Sequence, residues 1–191
     1  DKNKMVLGKN GLIKKMLPVN GEEIIFNNNG TRITSIKADG HNVVISYYNN
    51  GHIHRADFIE EAKSLCFEYG SYGPIKIKLQ NISYVSSSTS SGGSISTKTY
   101  TDLYESRYEY KGTVLTRMID TKLNIAVKFE QTSSKVTKIT NQVYSPEKNG
   151  AYMTMSYDET RMHTKVSDFQ GNVTYLYKNN YGQCIQKIDG E

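Results

Sequence analysis

Strand-forming side chains recur at every second position along much of this chain. Val43, Ile45 and Tyr47 alternate with Val44 and Ser46. Val114, Thr116 and Met118 follow Lys111-Gly112, and Ile125, Val127 and Phe129 precede Gln131-Thr132-Ser133-Ser134. A period of two sends successive side chains to opposite faces of a sheet. Turn signals punctuate the alternation: Asn10-Gly11, Asn20-Gly21, Asn29-Gly30, Asp39-Gly40 and Asn50-Gly51 follow one another at steps of roughly ten residues. Asn-Gly and Asp-Gly accept the positive φ of tight hairpin turns. The pattern predicts an all-β chain, an antiparallel meander of successive hairpins forming an extended twisted sheet or partial β-shell. Stacked hairpins are expected to bury one continuous apolar face, because a single hairpin is marginal in water.

The same rhythm closes the chain, where Gln170-Gly171-Asn172 leads into Val173, Tyr175 and Tyr177, and Asn179-Asn180-Tyr181-Gly182 turns it into Cys184, Gln186 and Ile188. Two stretches interrupt it. Phe58–Leu65 reads either as two turns of helix or as strand, turn at Glu60-Glu61, and strand. Residues 86–94 are Ser-rich and read as a flexible loop at a long hairpin tip. A second irregular loop is expected at Tyr144–Gly150. Residues 1–191 are taken as a single β region. The chain opens at Asp1-Lys2-Asn3 and stops at Asp189-Gly190-Glu191 inside a turn pattern, and so reads as a fragment of a larger protein.

Composition sharpens this. The sequence has 15 Tyr, 5 Phe and no Trp, with only 3 Pro against 15 Gly, so Gly and Asn must make the turns. Mean hydropathy is −0.59, polar enough to favour a sheet with a wet face over one compact ball. The net charge of +5 comes from 24 cations scattered among 19 anions. That is not the clustered footprint of a nucleic-acid binder. No apolar run is long enough to span a bilayer, and no signal peptide is present. Cys66 and Cys184 are too few and too far apart for a disulfide framework, and are expected to be free, partly buried thiols.

The spacing is similar to a known family. Gly30-Thr31-Arg32-Ile33-Thr34-Ser35-Ile36 through Gly40-His41-Asn42-Val43-Val44-Ile45-Ser46-Tyr47 resembles a nearly full YD (RHS) repeat, the unit of bacterial wall-associated and toxin-carrying proteins. Gly11–Met16, Gly51–Ala56 and Gly112–Asp120 resemble parts of it, and Gly171–Gly190 resembles it best. The likeness covers somewhat over half of the chain. The Tyr-Asp pair itself survives only at Tyr157-Asp158; Tyr47-Tyr48 and Tyr177-Lys178 hold the place elsewhere. The usual Gly-Arg-Leu turn is replaced by Gly30-Thr31-Arg32-Ile33 and Gly182-Gln183-Cys184-Ile185. The resemblance implies a non-catalytic scaffold or shell segment of a large secreted or cell-surface bacterial protein. Its partners would be adjacent repeats of the same polypeptide.

Sequence chemistry is sparse. His52 and His54, two apart, would share one face of a strand, but no Cys, Asp or Glu stands at a helper spacing for a third ligand. They are read as exposed or cross-strand histidines, with His41 and His163 on the surface. Serines cluster at 86–94 without a nucleophile elbow. No spacing brings Asp57, Glu60, Glu61, Asp102, Glu105 or Glu109 into a glycosidase pair. The sequence therefore calls for no catalytic residue, no metal and no cofactor. The second functional reading is a module that binds cell-surface carbohydrate or protein through exposed aromatics. Tyr47, Tyr48, Tyr108 and Tyr110 are its candidate contact residues, out of a set that includes Tyr69, Tyr72, Tyr100 and Tyr104. Ordinary packing within the sheet is the competing role for the same side chains.

Overall fold

The computed structural model describes residues 3–19, 21–88 and 94–190. Among them there is no helix, and hence none long and apolar enough to cross a membrane. The strands in chain order are β1 (Lys4–Leu7), β2 (Ile13–Leu17), β3 (Ile24–Asn28), β4 (Ile33–Ala38), β5 (His41–Tyr47), β6 (Ile53–Phe58), β7 (Lys63–Tyr69) and β8 (Pro74–Ser88). They continue as β9 (Ser94–Lys111), β10 (Val114–Asp120), β11 (Ile125–Thr132), β12 (Lys135–Val143), β13 (Lys148–Asp158), β14 (His163–Asp168), β15 (Val173–Lys178) and β16 (Cys184–Asp189). Each strand lies beside its neighbours in sequence, in one 16-stranded meander that does not close, with β1 and β16 at its two ends. The predicted antiparallel meander is therefore what the chain forms.

Contacts divide the chain into two compact units, one made of residues 1–70 and 76–105, the other of 71–75 and 106–191. The Phe58–Leu65 stretch is strand, turn and strand. Phe58 pairs with Lys63 across a four-residue loop, which leaves no helix there. The Tyr144–Gly150 loop is shorter than expected, because β13 already begins at Lys148 and Lys148 pairs with Val143. The strands also reach into the Ser-rich stretch, β8 to Ser88 and β9 from Ser94. The remainder of that expected loop, residues 89–93, lies outside the described residues, as does Asn20.

The turns are not all of the kind expected. Asp39 and Gly40, at φ 48° and 74°, form a two-residue reversal between Ala38 and His41. That is the primed hairpin turn the Asp-Gly signal predicts. The Asn10-Gly11 and Asn50-Gly51 signals instead build a wider reversal. In the first unit Gly11 N–H donates to the Gly8 carbonyl while Gly8 N–H donates to Leu12, and Gly51 donates to Tyr48 while Tyr48 donates to His52. In the second unit Gly171 and Gly182 close the same pattern on Asp168 and Asn179, whose own N–H groups donate to Asn172 and Gln183. An Asn or Asp side chain fixes each from inside, as Asn50 Oδ1 does by accepting from His52 N–H at 3.1 Å. A bulge in the adjoining ladder accompanies the wide turns at Gly11, Gly51 and Gly182, as at Ser46/Tyr47, whereas the ladder leading into the Gly171 turn keeps its register.

Among the described residues, neither unit buries a continuous apolar face. In the first unit the buried residues are Asp57, Ser64, Cys66, Gln80 and Ile82, and in the second Ile119, Ala126, Thr140, Gln142 and Thr164. More of these are polar than apolar. The alternating apolar side chains sit half-buried on open sheet faces and pack sideways against cross-strand neighbours. In the first unit the buried polar side chains Asp57, Ser64 and Gln80 are tied together by hydrogen bonds, directly or through Arg55.

Candidate functional site

The densest arrangement of chemistry in the first unit is a polar ladder across β6, β7, β8 and β9. Direct pairing of Arg55 with Cys66 and of Asp57 with Ser64 places all four side chains on one face. Ser64, fully buried, donates from Oγ to Asp57 Oδ1 at 2.7 Å. Asp57 Oδ2 accepts from Lys98 Nζ at 2.9 Å and from the Tyr100 hydroxyl at 3.0 Å. The Arg55 guanidinium donates to Ser64 Oγ at 3.3 Å, to Gln80 Oε1 and to Cys66 Sγ, and covers the Tyr100 ring 3.6 Å from its centre. The Gln80 amide donates in turn to Asp102, which pairs with Lys78 at 2.9 Å.

The electrostatics follow from these contacts. Burial alone would raise the Asp57 carboxyl, but hydrogen bonds from Ser64, Lys98 and Tyr100 outweigh it and hold the group below the usual carboxylate range. Lys98 is raised by its bond to Asp57. Tyr100 is raised first by burial and then by the same carboxylate. Asp102 is lowered by Gln80 and then Lys78. Every partner stabilises the charge state of the other at neutral pH. The arrangement can hold strands together, but it is ill-suited to nucleophilic attack. The Ser64 hydroxyl is enclosed and spends its proton on Asp57, and an attacking hydroxyl needs both a base able to take the proton and a path to substrate.

The four candidate tyrosines fall two in each unit, Tyr47 and Tyr48 in the first and Tyr108 and Tyr110 in the second. Tyr47 and Tyr48 are consecutive and so point to opposite faces. The Tyr47 hydroxyl donates to the Ile33 carbonyl at 2.7 Å, and Arg32 lies 5.3 Å from its ring centre. Tyr48 donates to the Phe67 carbonyl at 2.9 Å and packs between His54 and Tyr69. In the second unit Tyr108 and Tyr110 face Met118 and Leu115 across the β9–β10 ladder, both half-buried. The Tyr110 hydroxyl fills the space beside Gly73, where an added Cβ would lie 3.0 Å from it.

Tyr157, in the surviving Tyr-Asp pair, repeats the Tyr47 arrangement in the other unit. It donates to the Val136 carbonyl at 2.6 Å, and Lys135 lies 5.1 Å from its ring centre. In both cases the cation immediately precedes the residue whose carbonyl accepts. In these two places a tyrosine latches its strand to the start of the strand before it, under a cationic lid.

The histidines divide differently from expectation. His52 and His54 stack on Tyr69 and Tyr48, with ring centres 4.6 and 4.4 Å apart, as cross-strand aromatics. His163 is half-buried between Tyr175 and Tyr177 rather than on the surface. His41 is exposed, and its Nδ1 lies 2.7 Å from a Glu61 carboxylate oxygen. Sequence spacing hid this encounter because the two residues belong to separate turns; only the β5–β6–β7 order brings them to one end of the sheet. Both cysteines are free, Cys66 buried and Cys184 exposed, the latter more open than expected.

No protein-family model matches the chain, and no curated protein does. Among solved structures it is similar to a chain of the Photorhabdus luminescens Tc holotoxin pore, at 10% identity and a TM-score of 0.42, covering 98% of this chain and 15% of that one. It is also similar to a chain in a TcdB2–TccC3 crystal structure, at 8% identity and a TM-score of 0.37, with the same 98% and 15% coverage. The chain thus spans about 15% of the length of the solved chains it matches.

Proposed function

We propose that this chain is a non-catalytic repeat segment, a β scaffold or shell piece of the YD/RHS kind within a large secreted or cell-surface protein. Adjacent repeats of the same polypeptide are its main partners. The observation that carries the reading is the recurrence of one reversal, with a left-handed glycine closing on the residue three before it, at Gly11, Gly51, Gly171 and Gly182. Identical local geometry at the corresponding positions of a degenerate repeat is what an array of one supersecondary unit requires.

The end strands support the same reading. β1 and β16 each have one neighbour in the sheet, and they carry exposed apolar side chains, with Leu7 at 57% and Ile185 at 65%. Such edges invite further strands. The test is concentration-dependent association of this segment, measured by sedimentation, for the unmodified chain and for a Val6→Lys/Ile185→Lys double variant. The expected result is self-association of the former, abolished in the latter. A chain that stays monomeric at millimolar concentration would count against edges made to be continued. Binding of a cell-surface glycan, lost on Tyr48→Ala without loss of fold, would favour the binding-module reading instead.

A further inference from the structure

We infer that Asn29 is a site of spontaneous covalent modification, where the folded chain promotes loss of the side-chain amide as ammonia and formation of isoaspartate. Among the described residues, three reversals carry an Asn-Gly pair: Asn10-Gly11, Asn29-Gly30 and Asn50-Gly51. In such a pair the glycine nitrogen can attack the asparagine side-chain carbonyl carbon, because glycine has no side chain to block the approach. The three pairs differ in what holds the two reacting groups.

At Asn29 the electrophile is activated. Its Oδ1 accepts the Thr31 N–H at 3.2 Å, the Thr31 hydroxyl at 3.1 Å and the Arg32 N–H at 3.0 Å. Negative charge develops on that oxygen as the nitrogen bonds to Cγ, and three donors already point at it. Asn10 Oδ1 and Asn50 Oδ1, by contrast, each receive a single backbone N–H among the described residues, from Leu12 at 3.2 Å and from His52 at 3.1 Å.

The nucleophile at this pair is also held more loosely. Gly30 N–H donates to the side-chain Oδ1 of Asn28 at 3.1 Å, an acceptor that can swing away. Gly11 and Gly51 donate to the main-chain carbonyls of Gly8 and Tyr48, at 3.0 and 2.9 Å, which the reversal itself fixes. The Arg32 guanidinium covers Gly51 as well, with Nη2 2.9 Å from where a Cβ would stand, whereas nothing lies within 4 Å of the same point at Gly30.

Solvent base takes the Gly30 amide proton, the Gly30 N–Cγ bond forms and the Cγ–Nδ2 bond breaks. Nδ2 leaves as ammonia, with a proton returned from solvent. Water then opens the cyclic imide at either carbonyl, giving aspartate or isoaspartate. Isoaspartate adds a carbon to the main chain and so disturbs the closure of this reversal, in which Asn29 N–H donates to the Arg32 carbonyl at 3.1 Å. The site is independent of the repeat reading.

The test incubates the full chain in mildly alkaline buffer and follows each asparagine by peptide mapping with electron-transfer fragmentation, which separates isoaspartate from aspartate. In the folded chain Asn29 should convert about tenfold faster than Asn10 or Asn50, the scale of one net hydrogen bond. In urea, where the donors are dispersed, the three should convert at similar rates. Thr31 is exposed, so Thr31→Val keeps the fold and the side-chain shape while removing the hydroxyl donor. It should slow Asn29 about threefold or more. The assignment is overturned if Asn29 is no faster than the other two in the folded chain, if its lead persists in urea, or if Thr31→Val leaves its rate unchanged.

Discussion

Arg55 stacks over Tyr100 from three strands away, with its guanidinium carbon 3.6 Å from the ring centre. The same phenol donates to Asp57 at 3.0 Å, so one aromatic ring serves a cation through its face and an anion through its edge. Tyr100→Phe keeps the stacking and removes the donor. It should cost about 1.5–3 kcal/mol, the range for a hydrogen bond to a charged group. Tyr100→Ala removes both and should cost more. Urea unfolding of the variants gives these differences, and equal losses for Phe and Ala would show that the stacking contributes nothing.

Asp57 contributes to the acid limit of the first unit, beside the other lowered carboxylates Glu60 and Asp102. Its folded carboxyl lies below the ordinary value, so its contribution is complete above the unfolded pKa of about 3.9 and disappears as pH falls through the lower folded value. Tyr100, shifted upward, contributes below about pH 10 and loses that contribution as pH rises through its folded value. Asp57→Asn should therefore flatten the acid limb of a stability–pH profile. A wild-type profile that is already flat between pH 4 and 2 would contradict the assignment.

Tyr47 and Tyr157 should behave as equivalent positions. Each hydroxyl donates to a carbonyl at the start of the preceding strand, at 2.7 and 2.6 Å. Removing it with Phe should cost about 0.5–1.5 kcal/mol at either site. The two losses should add within a few tenths, because the residues lie in different units with no shared partner. Thermal melts of the single and double variants measure this.

Ser133 and Ser134 occupy a reversal between Thr132 and Lys135 at φ 50° and 64°, the backbone that Asp39 and Gly40 adopt elsewhere. Serine bears a left-handed cost of about 1–2 kcal/mol that glycine escapes, against a loss of about 0.4–1 kcal/mol from the freer unfolded chain. Ser134→Gly should thus stabilise by roughly 0.5–1 kcal/mol. A lower melting temperature would refute that balance.

The strands were legible because alternation and Gly-containing turns are local signals. Gly11, Gly40, Gly51 and Gly171 all mark reversals. Turn width was not legible. Asp39-Gly40 and Asn50-Gly51 look alike in sequence, yet the second recruits His52 and Tyr48 through backbone bonds. The expected apolar face failed because period-two patterning says which residues share a face, not whether anything covers it. Asp57, Ser64 and Gln80 ended up interior because their partners come from strands as far on as Lys98, Tyr100 and Asp102. Encounters across that separation, like that of His41 with Glu61, depend on strand order and lie beyond any window of neighbouring residues.

The wide reversal is wired from within: at Asn179, the backbone and side chain together bind Tyr181, Gly182 and Gln183, with no help from elsewhere. A chain assembled from such self-sufficient corners can lengthen or shorten by whole ribbons without disturbing the register of those that remain. Drift in the intervening sequence is then cheap, and a gene of this kind can vary in length more readily than in architecture.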